Sequence, residues 1–184
     1  MRVISGLYKG RRFEVPHSFK ARPTTDFAKE NIFNVLNNLI DFADGVHALD
    51  LFSGTGSISI ELVSRGCEQV TSIEKEREHY AFIMKVKGQV GAANWHPVHA
   101  DVFKYLAKCG QQFDFIFADP PYELPEIETI PSLIFKQNLL KEKGILVLEH
   151  GKKNKFDSLP FFHQHRTYGS VNFSIFIRQE TVGL

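Results

Sequence analysis

From Val46 to Glu149, short apolar stretches alternate with stretches of helical period, and no other feature limits the possible folds of this chain as strongly. Segments 46–52, 69–74, 96–99, 113–118 and 144–149 read as strands; 57–65, 76–88, 102–108 and 130–140 read as helices between them. Strands joined through helices pair in parallel, because the helix carries the chain back to the same end of the sheet. The expected fold is α/β, a mostly parallel twisted sheet with helices on both faces. After His150 the period changes: 161–168 and 171–178 flank Gly169-Ser170, which predicts an antiparallel C-terminal hairpin at one sheet edge. At the other end, Arg2–Ile4 and Arg12–Val15 flank a turn rich in Gly and Lys, the pattern of a small N-terminal β-hairpin. Pro16 to Pro23 reads as an extended connection. Thr24 or Thr25 then caps a helix placing Phe27, Ile32, Phe33, Leu36 and Leu39 on one face. The expected division is an arm, 1–23, and a main domain, 24–184.

Open parallel sheets bind ligands at the carboxyl ends of their strands, so the residues that follow each strand carry the functional argument. Segment 113–118 runs directly into Asp119-Pro120-Pro121-Tyr122. Two prolines stop strand pairing, since neither has an N–H and each fixes φ. The tetrapeptide is either an ordinary loop start or a rigid set of carboxylate, carbonyls and ring, suited to a planar base with an exocyclic amine. Segment 46–52 leads into Gly54-Thr55-Gly56 and a helix, where glycines let a ligand approach the backbone. Asp50 just before this turn suits a cationic amine and opposes a diphosphate, and Ser59 stands where the dinucleotide fingerprint has its third glycine. Glu74, twenty positions after Gly54, either grips a ribose diol or belongs to the charged cluster Glu74–Glu78. Asp101 accepts from an adenine amine, caps the helix that follows, or does both.

The chain of 184 residues is long enough for one domain with a proper core. No apolar run approaches the ~20 residues of a membrane span, and no apolar stretch of signal-peptide type follows Arg2, so no membrane association and a cytoplasmic location are expected. Cys67 and Cys109 form no CxxC pair, and the histidines show no ligand spacing, so no metal is expected; His163 and His165 read as surface residues. The charge is uneven. Residues 1–30 carry seven Lys/Arg against three Asp/Glu, 31–150 carry ten against sixteen, and 151–184 carry five against two. A basic arm on an acidic body fits a protein that holds phosphate at one end.

Asp-Leu-Phe-Ser-Gly-Thr-Gly at 50–56 together with Asp-Pro-Pro-Tyr at 119–122 resembles the amino-methylating class I S-adenosylmethionine-dependent methyltransferases. Arg2-Val3-Ile4-Ser5-Gly6, Lys9-Gly10-Arg11-Arg12, Arg22-Pro23-Thr24-Thr25-Asp26 and Glu30-Asn31-Ile32-Phe33-Asn34 narrow the resemblance to the RsmD family, bacterial 16S rRNA (guanine-N(2))-methyltransferases. It extends over nearly the whole chain and departs at Ser59, where the family often has glycine, and at Lys29, where arginine is usual. The resemblance implies a Rossmann-like fold and a cofactor site drawn from Arg22, Thr24, Asp50, Phe52, Gly54, Thr55, Gly56, Glu74, Lys75, Asp101, Val102 and Asp119. Asp119, Pro120 and Tyr122 then act on the target base, and Arg2, Lys9, Arg11 and Arg12 contact RNA. The implied partner is 16S rRNA or an assembling small ribosomal subunit, met by a monomer without an obligate protein partner. An adenine amino-methyltransferase on DNA or RNA fits the same tetrapeptide, although the short chain shows no target-recognition domain. Asp50 opposes a nucleotide-binding oxidoreductase, and the intact 119–122 segment opposes a non-catalytic RNA-binding module.

Overall fold

The computed structural model describes residues 1–19 and 25–180. Its strands are β1 (His47–Leu51), β2 (Gln69–Glu74), β3 (Trp95–His99), β4 (Phe113–Ala118), β5 (Leu140–His150), β6 (Phe162–Tyr168) and β7 (Val171–Ile177). They form one sheet in the order β3-β2-β1-β4-β5-β7-β6. Pairing is parallel from β3 to β5 and antiparallel where β7 joins β5 and β6, so the expected C-terminal hairpin closes that side. The helices are α1 (Asp26–Leu36), α2 (Ser57–Ser64), α3 (Arg77–Val90), α4 (Val102–Lys108) and α5 (Ile130–Lys136). The α/β, Rossmann-like expectation is met.

Strand alternation sorts the core into two layers. Ala48, Phe115, Phe117, Ile145, Val147 and Phe173 pack with residues of α1, α2 and α3. Leu49, Leu51, Ile116, Ala118, Leu146 and Leu148 pack with residues of α4 and α5 on the other face. The direction of strand addition reverses between β1 and β4, where Leu51 lies beside Ala118. The chains leaving those two strands diverge there and open a crevice at their carboxyl ends.

Helix 130–140 is shorter than expected and β5 longer. The helix stops at Lys136, Asn138 takes φ 55, and Leu140 already pairs with Phe113. Asn is among the few side chains that tolerate this left-handed conformation, so the chain turns out of the helix and into the strand. In α1, Thr25 is the cap and accepts from the Ala28 N–H at 3.1 Å, whereas Phe27 departs from the expected buried face and is 63% exposed.

The N-terminal hairpin is reduced to one antiparallel bridge between Arg2 and Arg12. Val3 N still donates across the hairpin to the Arg11 carbonyl at 3.0 Å, and the N–H groups that follow serve the body of the protein instead. Ile4 N and Ser5 N donate to the Glu61 carboxylate at 2.8 and 3.0 Å, and Leu7 N donates to the Ser64 carbonyl at 2.7 Å. Gly6 has φ +80, and a Cβ there would fall 1.8 Å from the Ser64 oxygen, so only glycine permits this approach. Val3 and Phe13 are buried in the first core layer. Beneath them Lys29, fully buried, donates to the Arg2 carbonyl at 2.5 Å and to Ser57 Oγ at 3.0 Å, and lies 3.7 Å from Glu61. Burial draws the Lys29 pKa below the ordinary lysine value, and the Glu61 charge opposes that shift.

Removing one partner of a buried ion pair strands the other charge, at a cost of about 3–5 kcal/mol. Glu61→Ala is therefore expected to lower unfolding stability by that amount in urea titration. A loss below about 1 kcal/mol would show that Lys29 and the arm do not depend on Glu61.

Candidate functional site

A cavity of about 790 Å³ opens at the carboxyl ends of β1 to β5 and at the β6–β7 turn. It lies within the range of small-molecule sites. The loop after β1 forms its floor. Phe52 leaves the strand at φ 60, a conformation that costs a bulky residue energy and is common where a site dictates the backbone. Gly56 caps α2 at φ 76, and a Cβ there would meet Ile83 at 3.0 Å and Trp95 at 3.1 Å. The glycine shapes the turn without lining the cavity, while Phe52, Gly54 and Thr55 line it.

Glu74 fastens this loop. Its carboxylate accepts from Gly54 N at 2.6 Å and from Glu76 N at 2.7 Å, with His79 Nδ1 at 3.9 Å. The acid twenty positions beyond the glycine thus both faces the cavity and holds the two loops that frame it. Asp101 caps α4, accepting from Lys104 N at 3.1 Å, and it also lines the cavity beside Val102 and Phe103. Lys75 lines it as well.

Asp50 is 1% exposed and rests on a buried row of donors. Trp95 Nε1 donates to Ser72 Oγ at 2.5 Å, Ser72 Oγ and Ser59 Oγ lie 2.6 Å apart, and Ser59 Oγ donates to Asp50 Oδ2. The indole N–H is a donor only, so the whole row points its hydrogens toward the carboxylate. Burial raises the Asp50 pKa to about 7, and the Ser59 hydrogen bonds restrain the rise. Ser59, the departure from glycine, is therefore the direct support of the acid.

Asp119, Pro120, Pro121 and Tyr122, which follow β4 beyond the switch point, line the cavity as well. The Tyr122 hydroxyl donates to Glu149 Oε1 at 2.7 Å, and Glu149, 4% exposed, lines the cavity too. Glu149 was not singled out from sequence, although a signal was present: each parallel strand has an acid within two residues of its carboxyl end, and Glu149, next to last in β5, is that strand's. Phe27, Phe103, His79 and the turn Tyr168–Val171 are further lining residues. They come from elements whose approach to the crevice depends on packing, which leaves no local motif. Arg22 and Thr24 lie outside the described residues.

The basic arm sits elsewhere. Tyr8 OH donates to the Val90 carbonyl at 3.1 Å, Arg11 reaches the Gln89 carbonyl at 3.4 Å, and Leu7 and Tyr8 are tied to Ser64. These are the carboxyl ends of α2 and α3, whose amino ends face the cavity. Arg11 also lies over the Tyr8 and Phe13 rings, and Arg2 pairs with Asp26 at 3.0 Å; Lys9 and Arg12 are exposed. Among the described residues, no group of His, Cys, Asp or Glu is arranged to hold a metal ion, and no helix is long and apolar enough to cross a membrane.

The family model described as conserved hypothetical protein 95 matches residues 1–177. "Ribosomal RNA small subunit methyltransferase D" of Buchnera aphidicola is 32% identical over 149 residues, covering 81% of this chain and 75% of that protein. The protein of the same name from Escherichia coli strain K12 is 29% identical, covering 97% and 90%. Among solved structures, "Putative methyltransferase yhhF" from Escherichia coli shares 27% identity at a TM-score of 0.86, covering 97% and 98%. The resemblance to the RsmD family is borne out.

The raised Asp50 pKa fixes a pH dependence. A carboxyl group whose folded value lies above its unfolded value destabilises the fold increasingly as pH rises between the two, and fully above the folded value. Ser59 reduces that cost. Ser59→Ala is expected to lower stability by about 1–3 kcal/mol at pH 8 and by less at pH 5, where Asp50 is protonated. Denaturant titration at both pH values checks this, and equal losses would show that the hydroxyl does not act through the charge.

Proposed function

The chain belongs to the conserved hypothetical protein 95 family, and from that premise we propose that it transfers a methyl group from S-adenosylmethionine to the exocyclic N2 amine of a guanine in 16S rRNA. The observation that carries the proposal is one cavity lined both by Asp50, Glu74 and Asp101, at the carboxyl ends of β1, β2 and β3, and by Asp119, Pro120 and Tyr122, which follow β4 beyond the switch point. Asp50, Glu74, Glu76, Asp101, Asp119 and Glu149 line it, against Lys75 and His79 as the basic side chains among the described lining residues. Such a wall suits a ligand with a cationic amine and a sulfonium and repels a diphosphate. The names of the relatives support small-subunit rRNA as the substrate; the reaction is then placed in the cytoplasm, where bacterial ribosomes are.

S-adenosylmethionine supplies an activated methyl group when bound, so the chain itself needs to provide no electrophile. Asp50 holds the amino group of the amino-acid end, Glu74 the ribose hydroxyls and Asp101 the adenine amine, with Phe52, Phe103 and Val102 around the ring. Asp119 and the Pro120 carbonyl accept hydrogen bonds from the target amine. Its lone pair is delocalised into the base, and those acceptors turn it toward the methyl group and stabilise the positive charge that grows on nitrogen. The S–CH3 bond breaks as the N–CH3 bond forms, and the cationic nitrogen, now strongly acidic, then gives its proton to Asp119 or through it to water, so Asp119 need not be a strong base beforehand. The Tyr122 ring stacks on the base, an interaction worth about 1–3 kcal/mol. A base reaches this crevice only by leaving its own stack or from an unpaired loop.

Asp119→Ala is expected to reduce methyl transfer by ~10²–10³ while leaving cofactor affinity within a few fold. Single-turnover transfer of labelled methyl to small subunits, with calorimetry for the cofactor, checks both; turnover near wild type would remove Asp119 from the mechanism.

We further propose that the arm holds rRNA phosphates, chiefly through Lys9 and Arg12, which are exposed, and secondarily through Arg2 and Arg11, which also serve the fold. Joint neutral replacement of Lys9, Arg11 and Arg12 is expected to flatten the log–log salt dependence of RNA binding by roughly 0.7–0.9 per lost contact. Filter binding over a salt series reads the slope, and an unchanged slope would reduce the arm to a structural element.

A further inference from the structure

We propose that Glu149 is the residue by which this site selects guanine over adenine, its carboxylate accepting the N1–H of the base while Asp119 and the Pro120 carbonyl accept the adjacent amine. The inference rests on the methyltransferase reading above and names the chemical edge that it requires.

Placement comes first. Ala118 of β4 pairs in parallel with Leu148 of β5, so Asp119 and Glu149 follow side by side, one step beyond the last pair, on strands about 4.8 Å apart. Phe117 and Val147 both face the first core layer. Side chains alternate, so Asp119 and Glu149 continue on that same face, and both line the cavity. The Tyr122 hydroxyl bonds Glu149 Oε1 at 2.7 Å, which ties the carboxylate to the ring on which the base would lie.

Chemistry then selects the base. Guanine presents two neighbouring donors on one edge, the N1–H and the N2 amine. Two acids on adjacent strand ends form the matching pair of acceptors. Adenine presents an unprotonated N1 beside its amine, and that lone pair would face the Glu149 carboxylate. Glu149 is 4% exposed, so little water is available to bridge the mismatch, and the unmatched acceptors would make the rejection large. Asp119-Pro120-Pro121-Tyr122 by itself recognises only an amine on a planar ring; the end of β5 supplies the second contact.

A purely structural role for Glu149, holding the Tyr122 ring, predicts different results. The test uses the full chain, labelled S-adenosylmethionine and small ribosomal subunits from cells lacking the corresponding methyltransferase. Guanosine, inosine and 2-aminopurine riboside serve as competing nucleosides. Inosine keeps the N1–H and lacks the amine; 2-aminopurine riboside keeps the amine and lacks the N1–H. The wild-type protein is expected to bind guanosine about tenfold or more tightly than 2-aminopurine riboside, the scale of one hydrogen bond to a charged group. Glu149→Gln is expected to reduce that ratio to below about threefold, because the amide of Gln turns its NH2 toward an unprotonated N1. Its cofactor affinity stays within a few fold. Tyr122→Phe, which deletes the hydroxyl and keeps the ring, is expected to preserve discrimination.

A ratio unchanged in Glu149→Gln overturns the inference. So does a Tyr122→Phe variant that loses discrimination to the same degree, or guanosine that competes no better than 2-aminopurine riboside in the wild type. In each case N2-methylguanosine in the digested product leaves the proposed function standing. Label on any other base removes the function and the inference together.

Discussion

The Glu61 carboxylate is the contact on which the architecture around the site depends. It is fully buried in α2 and accepts from the backbone of Ile4 and Ser5 and from Arg65, with Lys29 beside it. One buried side chain thereby joins the N-terminal arm, α1 and α2. Lys29 carries the linkage on to Ser57, the first residue of α2 and part of the cavity lining. A compact ammonium suffices because its partners converge from three directions, where the planar fork of an arginine would need a flatter arrangement.

The acids at the strand ends are handled in two ways. Asp50 and Glu74 are supported from within the fold, Asp50 by the hydroxyl row and Glu74 by backbone N–H groups of the loops it joins. Asp119 follows a strand that two prolines terminate, and Glu149 is steadied by a side chain of that same tetrapeptide. Several carboxylates in one cavity repel each other, and burial of each is tolerable only with such donors. That repulsion is relieved by a positively charged ligand, which gives the cavity a preference for cations before any shape is considered.

Much of this was legible in the sequence, because the strand–helix alternation and the motifs after β1 and β4 are local. Thr25, one of the two caps that the sequence offers, caps α1, the glycines after β1 form the strand-to-helix turn, and the acids at 50, 74, 101 and 119 line the cavity. What escaped was set by tertiary packing. The arm reads as a hairpin from its own residues, but Ile4 and Ser5 donate to Glu61, 57 and 56 residues away in the chain, instead of continuing the ladder with the opposite strand. Phe27 matches the helical stripe, yet the cavity rim is where α1 presents it, facing Tyr168. Glu149 looked like the end of an ordinary strand until the register with β4 set it beside Asp119.

Trp95 is the sole tryptophan, it is wholly buried, and its indole N–H begins the row of donors that ends on Asp50. The electron distribution of an excited indole responds to the field along its N–H axis. The protein thus carries an internal optical probe of one carboxylate: a proton or a cation arriving at Asp50 alters the polarisation of the intervening hydroxyls and shifts the emission, with no label and no other indole to obscure it.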